Sequence, residues 1–263
     1  MPADADSKKI RADELLLSLS LVESRTKGQA LIMAGEVEVF DSKKDQWSEL
    51  KKAGQQLKKD TPLRLKTNKE QYVGRGAYKL LQAFDRWDAF RVQGHYCMDI
   101  GSSTGGFTQV LLEKGASKVI ALDVGTNQLH EKMRADKRVV SIEKQHILKT
   151  DAAFWKSHSL EPSFDTYVSD LSFISLKKVI PHVWPWLKSG GSWLMLVKPQ
   201  FELEKSKVPK GVVKNSDHRY EALKSVVDVV ELCQGANVVG HEDSQTKGAE
   251  GNVEYLLWVQ KES

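Results

Sequence analysis

The sequence predicts an α/β protein: a mostly parallel sheet with helices on both faces, ending in an antiparallel hairpin and preceded by a small α+β module. Three observations carry this. From Gly94 onward, short apolar runs of strand length alternate with segments of helical length, the pattern of a parallel sheet joined by right-handed helical crossovers. The run Tyr96–Asp99 ends in an acid and leads into Gly101-Ser102-Ser103-Thr104-Gly105-Gly106-Phe107, a glycine-rich strand-to-helix turn that lets a ligand approach the backbone. The chain finishes as strand, loop and strand without a helix between them, which reads as a hairpin at the sheet edge.

Composition narrows the class. The 263 residues suit one large domain with a small companion, and 40% apolar residues with seven tryptophans belong to a globular chain. No apolar run reaches the roughly 18–20 residues that span a bilayer. The polar start, Met1 to Lys9, has no secretory signal, so a cytoplasmic location without a membrane partner is expected, with a monomer as the default. Cys97 and Cys233 read as small core residues, and the seven histidines fall in no metal-ligand spacing. No metal is expected. A net charge of +4 is compatible with a nucleic-acid partner.

In chain order, residues 1–9 read as a frayed tail and Arg11–Leu19 as a short helix. A second helix is capped by Ser24 and stops at Gly35. Glu36–Phe40 and Leu63-Arg64-Leu65 alternate as half-buried strands. This module spans residues 1–66, followed by a polar linker, 67–73, and a second domain, 74–263. In that domain a helix runs through Phe84 and Trp87. Five strands follow at Tyr96–Asp99, Val119–Asp123, Val139–Glu143, Thr166–Asp170 and Ser192–Val197. Helices are expected at 105–114 with Thr104 as N-cap, at 126–135, near 177–186 and at 217–232, with a charged loop from Glu202 to Asn215 and hairpin strands at 237–240 and 252–259.

Ligands of such sheets bind beyond the carboxyl ends of the strands. Asp123 ends the second strand 22 residues after Gly101, where an acid can accept both hydroxyls of a ribose. Asp99, Glu143, Asp170 and Lys198 stand at other strand ends, Glu254 in the hairpin, and Lys79 in the helix after Arg75-Gly76. Lysine suits one task in particular. A ribose 2'-hydroxyl is a poor nucleophile, and a lysine beside a second cation and partly buried gives up its own proton and can accept that of the hydroxyl as it attacks a methyl group. Carboxylates then orient the lysines.

Two resemblances complete the reading. Arg11-x-Asp13-x-Leu15-Leu16, Ser24-Arg25 and Leu31-Ile32-x-x-Gly35-x-Val37-x-Val39 resemble the S-four (alpha-L) RNA-binding domain. That resemblance implies RNA phosphate contacts by Arg11, Arg25, Lys27, Lys43 and Lys44, with Arg75 beyond the module. The charge count supports this weakly, with 13 basic against 11 acidic residues in 1–66. Arg75-Gly76-x-x-Lys79-Leu80, Asp99-Ile100-Gly101-x-x-Thr104-Gly105-Gly106-Phe107, Asp123-Val124-Gly125, Asp170-Leu171-Ser172-Phe173-Ile174-Ser175-Leu176, Val197-Lys198-Pro199-Gln200-Phe201-Glu202 and Gly251-Asn252-x-Glu254 resemble the TlyA family over essentially the whole chain.

That second resemblance implies a Rossmann-like, FtsJ-type domain using S-adenosylmethionine to methylate ribose 2'-hydroxyls of ribosomal RNA, commonly cytidine. It implies a tetrad of Lys79, Asp170, Lys198 and Glu254, with Lys198 as the base. It also sets Asp99, Gly101, Ser103, Thr104, Gly105, Gly106, Phe107, Asp123, Val124, Glu143 and Asp170 at the cofactor. Three positions depart from the pattern: His146 stands where an Asn is usual, Gly74 replaces a frequent Ser, and Lys210-Gly211 lacks one glycine of a pair. The alternatives are a haemolysin or other membrane-active protein, an NAD-dependent oxidoreductase, and an RNA-binding protein without turnover.

Overall fold

A computed structural model describes residues 9–42, 45–65 and 72–262, and the chain divides into two compact units, Met1–Gln71 and Tyr72–Ser263. In the first unit, β1 (Lys9–Arg11) leads into α1 (Ala12–Ser18) and α2 (Arg25–Met33), followed by β2 (Val37–Asp41), β3 (Gln46–Glu49), β4 (Gln56–Lys58) and β5 (Leu63–Leu65). Ser24 caps α2 by accepting the Lys27 N–H, and the chain leaves that helix through Gly35 at φ +73°. β2 is the centre of a three-stranded antiparallel sheet with β3 and β5, while β1 pairs with β4. Leu15, Leu16, Ile32, Val37, Leu50 and Leu63 form this unit's core. The expected linker segment 66–71 lies outside the described residues. Tyr72 and Val73, expected in the linker, stand in the second unit, where the Val73 N–H donates to Gln109 Oε1 at 2.9 Å.

Asp13 organises the first unit's helices. Its fully buried carboxylate accepts hydrogen bonds from Arg11 at 2.9 Å, Arg25 at 3.1 Å and Gln29 at 2.7 Å. These partners, Arg11 foremost, hold the carboxyl well below the usual range. Because the folded group protonates at lower pH than the unfolded one, its stabilisation is complete above about pH 4 and is lost as the pH falls below that. Asp13→Asn is therefore expected to destabilise this unit by about 2 kcal/mol at neutral pH and to flatten the acid side of its stability profile. Thermal unfolding followed between about pH 3 and pH 7 checks both.

In the second unit, α3 (Gly76–Arg86) precedes β6 (Tyr96–Ile100), α4 (Gly106–Glu113), β7 (Lys118–Leu122), α5 (Glu131–Arg134), β8 (Val139–Ile142), α6 (Ala152–Ser157) and β9 (Phe164–Ser169). Then come α7 (Leu176–Val183), β10 (Leu187–Val197), the one-turn α8 (Pro199–Glu202), α9 (Ser216–Glu231), β11 (Ala236–Asp243) and β12 (Tyr255–Lys261). The seven strands lie in the order β11-β12-β10-β9-β6-β7-β8, and β12 runs antiparallel to both its neighbours while the remaining pairs are parallel. This is the α/β sheet with a terminal antiparallel hairpin that the sequence predicts.

The strands are nearly continuous apolar runs because both faces are covered. Successive side chains of β6 alternate: Met98 and Ile100 join Trp155, Val179, Ile180 and Val226 on one face, while Cys97 joins Leu80, Phe107 and Leu111 on the other. Two expectations need correction. The helix expected over 126–135 is only the turn Glu131–Arg134, because Asn127 sits at φ +55° with its N–H held by the Glu143 carboxylate at 2.7 Å. Thr104 does not cap α4; Gly105 does, at φ +94° and without a side-chain cap bond. Among the described residues, no helix is long and apolar enough to cross a membrane.

Candidate active site

The turn after β6 is built by backbone geometry. Gly101 adopts φ +86°, and a Cβ there would lie 3.0 Å from the Asp170 carbonyl oxygen, so glycine lets the ends of β6 and β9 converge. Ser103, at φ +46°, donates its N–H to Asp123 Oδ2 at 2.8 Å, and Gly125 donates to Asp123 Oδ1 at 2.6 Å. Asp123 thus ties the turns after β6 and β7 together. At Gly105 a Cβ would lie 2.8 Å from Leu129 and 2.9 Å from Met133, so this glycine serves packing rather than a ligand.

Two cavities open beyond these strand ends. One, of about 460 Å³, is lined by Arg75, Lys79, the Gly101–Thr104 turn, Gly106, Phe107, Asp170, Ser172, Lys198, Thr246–Gly248 and Glu254. The other, of about 390 Å³, is lined by Leu122, Asp123, Val124, Gln128, His146, Ile147 and the segment from Asp170 to Ile174. They share Gly101, Ser103, Asp170 and Ser172. A ligand lying through both would therefore pass beside Asp170.

At that junction stand two lysines and two acids drawn from four separate stretches of chain. Lys79 of α3 donates to Glu254 Oε2 at 2.6 Å and lies 3.5 Å from Asp170 Oδ2. Lys198, just after β10, forms an ion pair with Asp170 Oδ1 at 2.6 Å and directs a hydrogen bond to Ser172 Oγ at 2.9 Å. Lys79, Lys198 and Glu254 are all buried. Buried charges persist only when paired and hydrogen-bonded, and here each lysine has a carboxylate while Asp170 lies between the two ammonium groups.

The structure gathers Lys79, Asp170, Lys198 and Glu254 with Arg75, Gly101, Ser103, Thr104, Gly106 and Phe107 in one cavity, and places Asp123 and Val124 in the other. Asp99 lines neither. It is fully buried, accepts the Thr108 hydroxyl at 2.7 Å and leaves Oδ1 without a hydrogen-bond partner among the described residues, and burial pushes its carboxyl up to about 7. Glu143 also stays off the cavities, holding the Asn127 N–H and pairing with Arg134 at 3.1 Å. Of the cations expected on RNA, Arg75 is exposed at the cavity rim and Lys27 is exposed on α2. Arg11 and Arg25 are engaged by Asp13, and Arg25 also pairs with Glu14 at 3.0 Å. Lys43 and Lys44 lie outside the described residues. Sequence reasoning missed the lining roles of Ser172 and Thr246–Gly248. Ser172 could have been found from its place two residues after Asp170.

Comparison with known proteins agrees with this geometry. The FtsJ-like methyltransferase family profile matches residues 72–261. The 16S/23S rRNA (cytidine-2'-O)-methyltransferase TlyA of Mycobacterium tuberculosis is 38% identical over 261 residues, which cover 98% of this chain and 92% of that protein. Hemolysin A of Brachyspira hyodysenteriae is also 38% identical, over 94% of this chain and 98% of its own length. A solved structure of a candidate hemolysin from Streptococcus thermophilus superposes with a TM-score of 0.69 at 34% identity, covering 98% of this chain and 90% of the other. The chain belongs to the FtsJ-like methyltransferases and, within them, to the TlyA family.

Proposed function

We propose that this protein methylates ribose 2'-hydroxyls of ribosomal RNA, with cytidine as the target and the cytoplasm as its location. The observation that carries the reading is the Lys79–Glu254 and Lys198–Asp170 cluster at the junction of two cavities. S-adenosylmethionine is the methyl donor of the family, and when bound it supplies a methyl group made electrophilic by a sulfonium. The residues present fit it: the Asp123 carboxylate suits the ribose hydroxyls, Leu122 and Ile147 give the nucleoside apolar walls, and the Gly101–Thr104 backbone with Gly106 leaves room for the amino-acid part.

The acceptor side belongs to the first cavity. Lys198 Nζ takes the proton of the 2'-hydroxyl, because it shares one carboxylate and a serine hydroxyl whereas Lys79 lies between two carboxylates. Asp170 fixes Lys198 in direction. Glu254 fixes Lys79, whose ammonium stands by the acceptor oxygen as charge develops there. Arg75 at the rim and, in the first unit, Lys27 on α2 are the exposed cations this reading assigns to RNA phosphates. Support for the substrate comes from the naming of the Mycobacterium tuberculosis relative.

Mass-spectrometric mapping of ribosomal RNA or subunits incubated with the protein and labelled S-adenosylmethionine tests the proposal. A labelled 2'-O-methylcytidine at a discrete position is the expected result. Label on a base, or none in either subunit, would overturn it.

A further inference from the structure

The carboxylate of Glu202 is buried and takes no part in the mechanism above. It closes the one-turn helix α8, four residues after Lys198, and turns back onto the start of α7, where it accepts the Ser175 hydroxyl and the Leu176 N–H, the latter at 2.8 Å. From the other direction, Lys177 Nζ donates to the Glu202 backbone carbonyl at 2.9 Å. Ser175 lies five residues after Asp170. The two segments that carry the catalytic groups, 170–177 and 198–202, are therefore joined at both ends.

At the near end Lys198 meets Asp170 and Ser172. In the middle the rings of Phe173 and Phe201 approach to 5.2 Å between centroids. At the far end sits the Glu202 clasp. The contacts run in the same order along both segments, so a slip at one end displaces the other. Phe173 is 91% exposed and adopts φ +63°, so the middle contact is open to solvent and backbone strain acts against it. The far end is buried, and one carboxylate there holds both the hydroxyl and the backbone N–H at the start of α7. Burial raises the Glu202 carboxyl, and the Ser175 hydroxyl and Leu176 N–H oppose that shift, so the clasp itself favours the charged acceptor.

We propose that Glu202 is a positioning residue for methyl transfer: by clasping Ser175 and Leu176 it sets the register between the loop bearing Asp170 and Ser172 and the loop bearing Lys198. This rests on the reading of Lys198 and Asp170 as the groups that act on the acceptor hydroxyl. A general base displaced by about 1 Å loses on the order of 10²-fold in rate, whereas the nucleoside-side cavity shares only its Asp170–Ile174 wall with the clasped loop. Leu122, Asp123, Gln128, His146 and Ile147 stand outside that loop, and Ser175, Leu176 and Glu202 themselves stand outside that lining.

The test measures kcat, the KM for ribosomal RNA and the Kd for S-adenosylmethionine in Glu202→Gln, Ser175→Ala and the double variant, beside Lys198→Ala. The expected result is a kcat at least about tenfold lower for Glu202→Gln, with cofactor Kd and RNA KM within about twofold of the parent chain. The double variant is expected to be no worse than Glu202→Gln alone, since both changes remove one contact. Ser175→Ala deletes only a hydroxyl, and it keeps the test open if Glu202→Gln fails to fold. An unchanged kcat in folded variants, or a fall matched by equal loss of cofactor affinity, would overturn the proposal. Undiminished transfer by Lys198→Ala would instead sink the reading on which it rests.

Discussion

Replacing Lys198 by alanine is expected to leave S-adenosylmethionine affinity within about twofold of the parent chain and to slow methyl transfer by about 10²–10⁴-fold. The division follows from where the side chain sits. Lys198 lines the first cavity and is absent from the cavity around Asp123, so its loss removes the proposed proton acceptor without touching the nucleoside's contacts. Lys198→Arg sharpens the test. It retains the positive charge beside Asp170 but carries a guanidinium that does not deprotonate in proteins, so it is expected to be as inactive as the alanine variant. If Lys198→Arg retained transfer, the group would be acting by its charge alone. Calorimetric titration of the cofactor and label incorporation into ribosomal RNA give the two readouts.

Glu254→Ala carries the largest expected cost in stability. The carboxylate is 1% exposed, and its 2.6 Å contact is the closest carboxylate to the buried Lys79 ammonium. Removing it leaves Asp170 at 3.5 Å, already engaged by Lys198. Breaking a buried pair by deleting one partner costs about 3 kcal/mol, which for a unit of this size lowers the melting temperature by about 6–12 °C. The surrounding loop offers no substitute, since it packs so closely that a Cβ at Gly248 would collide with the Glu254 carboxylate. An unchanged melting temperature in circular dichroism would show that Lys79 finds water or another partner. Transfer is expected to fail as well, because Lys79 loses its orientation.

Much of this architecture is legible in the sequence for a physical reason. Strands covered on both faces need largely apolar runs, and Tyr96–Met98, Val119–Leu122 and Trp193–Val197 stand out as such runs between helical stretches. The short strands of the first unit do not. Lys9–Arg11 and Gln56–Lys58 are three residues each, with mostly exposed or half-buried side chains, and only their pairing with each other defines them. A similar limit explains the helix expected over 126–135. Its sequence tolerates a helix, but the carboxylate of Glu143, distant in the chain, holds the Asn127 N–H in a turn.

At the site, acids at strand ends are visible as a class, but their direction is not. Asp123 faces a cavity, while Asp99, three residues before Ser102 on a neighbouring strand, points into the core toward Thr108. Arg11 and Arg25 look like free cations until the fold brings Asp13 between them. Contacts across long separations were beyond periodicity and composition. The tetrad is implied by the resemblance to the TlyA family, and its geometry comes only from the sheet.

That geometry has a consequence for how the enzyme comes into being. Lys79 and Glu254 are separated by 175 positions, and β12, which follows Glu254 directly, is inserted between β10 and β11 rather than added at the rim. A chain emerging from the ribosome can assemble the parallel strands β6 to β10 early, yet it cannot finish the sheet or neutralise Lys79 until residues 254–261 arrive. A product terminated before residue 254 therefore lacks an internal strand of the sheet and the closest carboxylate partner of the buried Lys79 together.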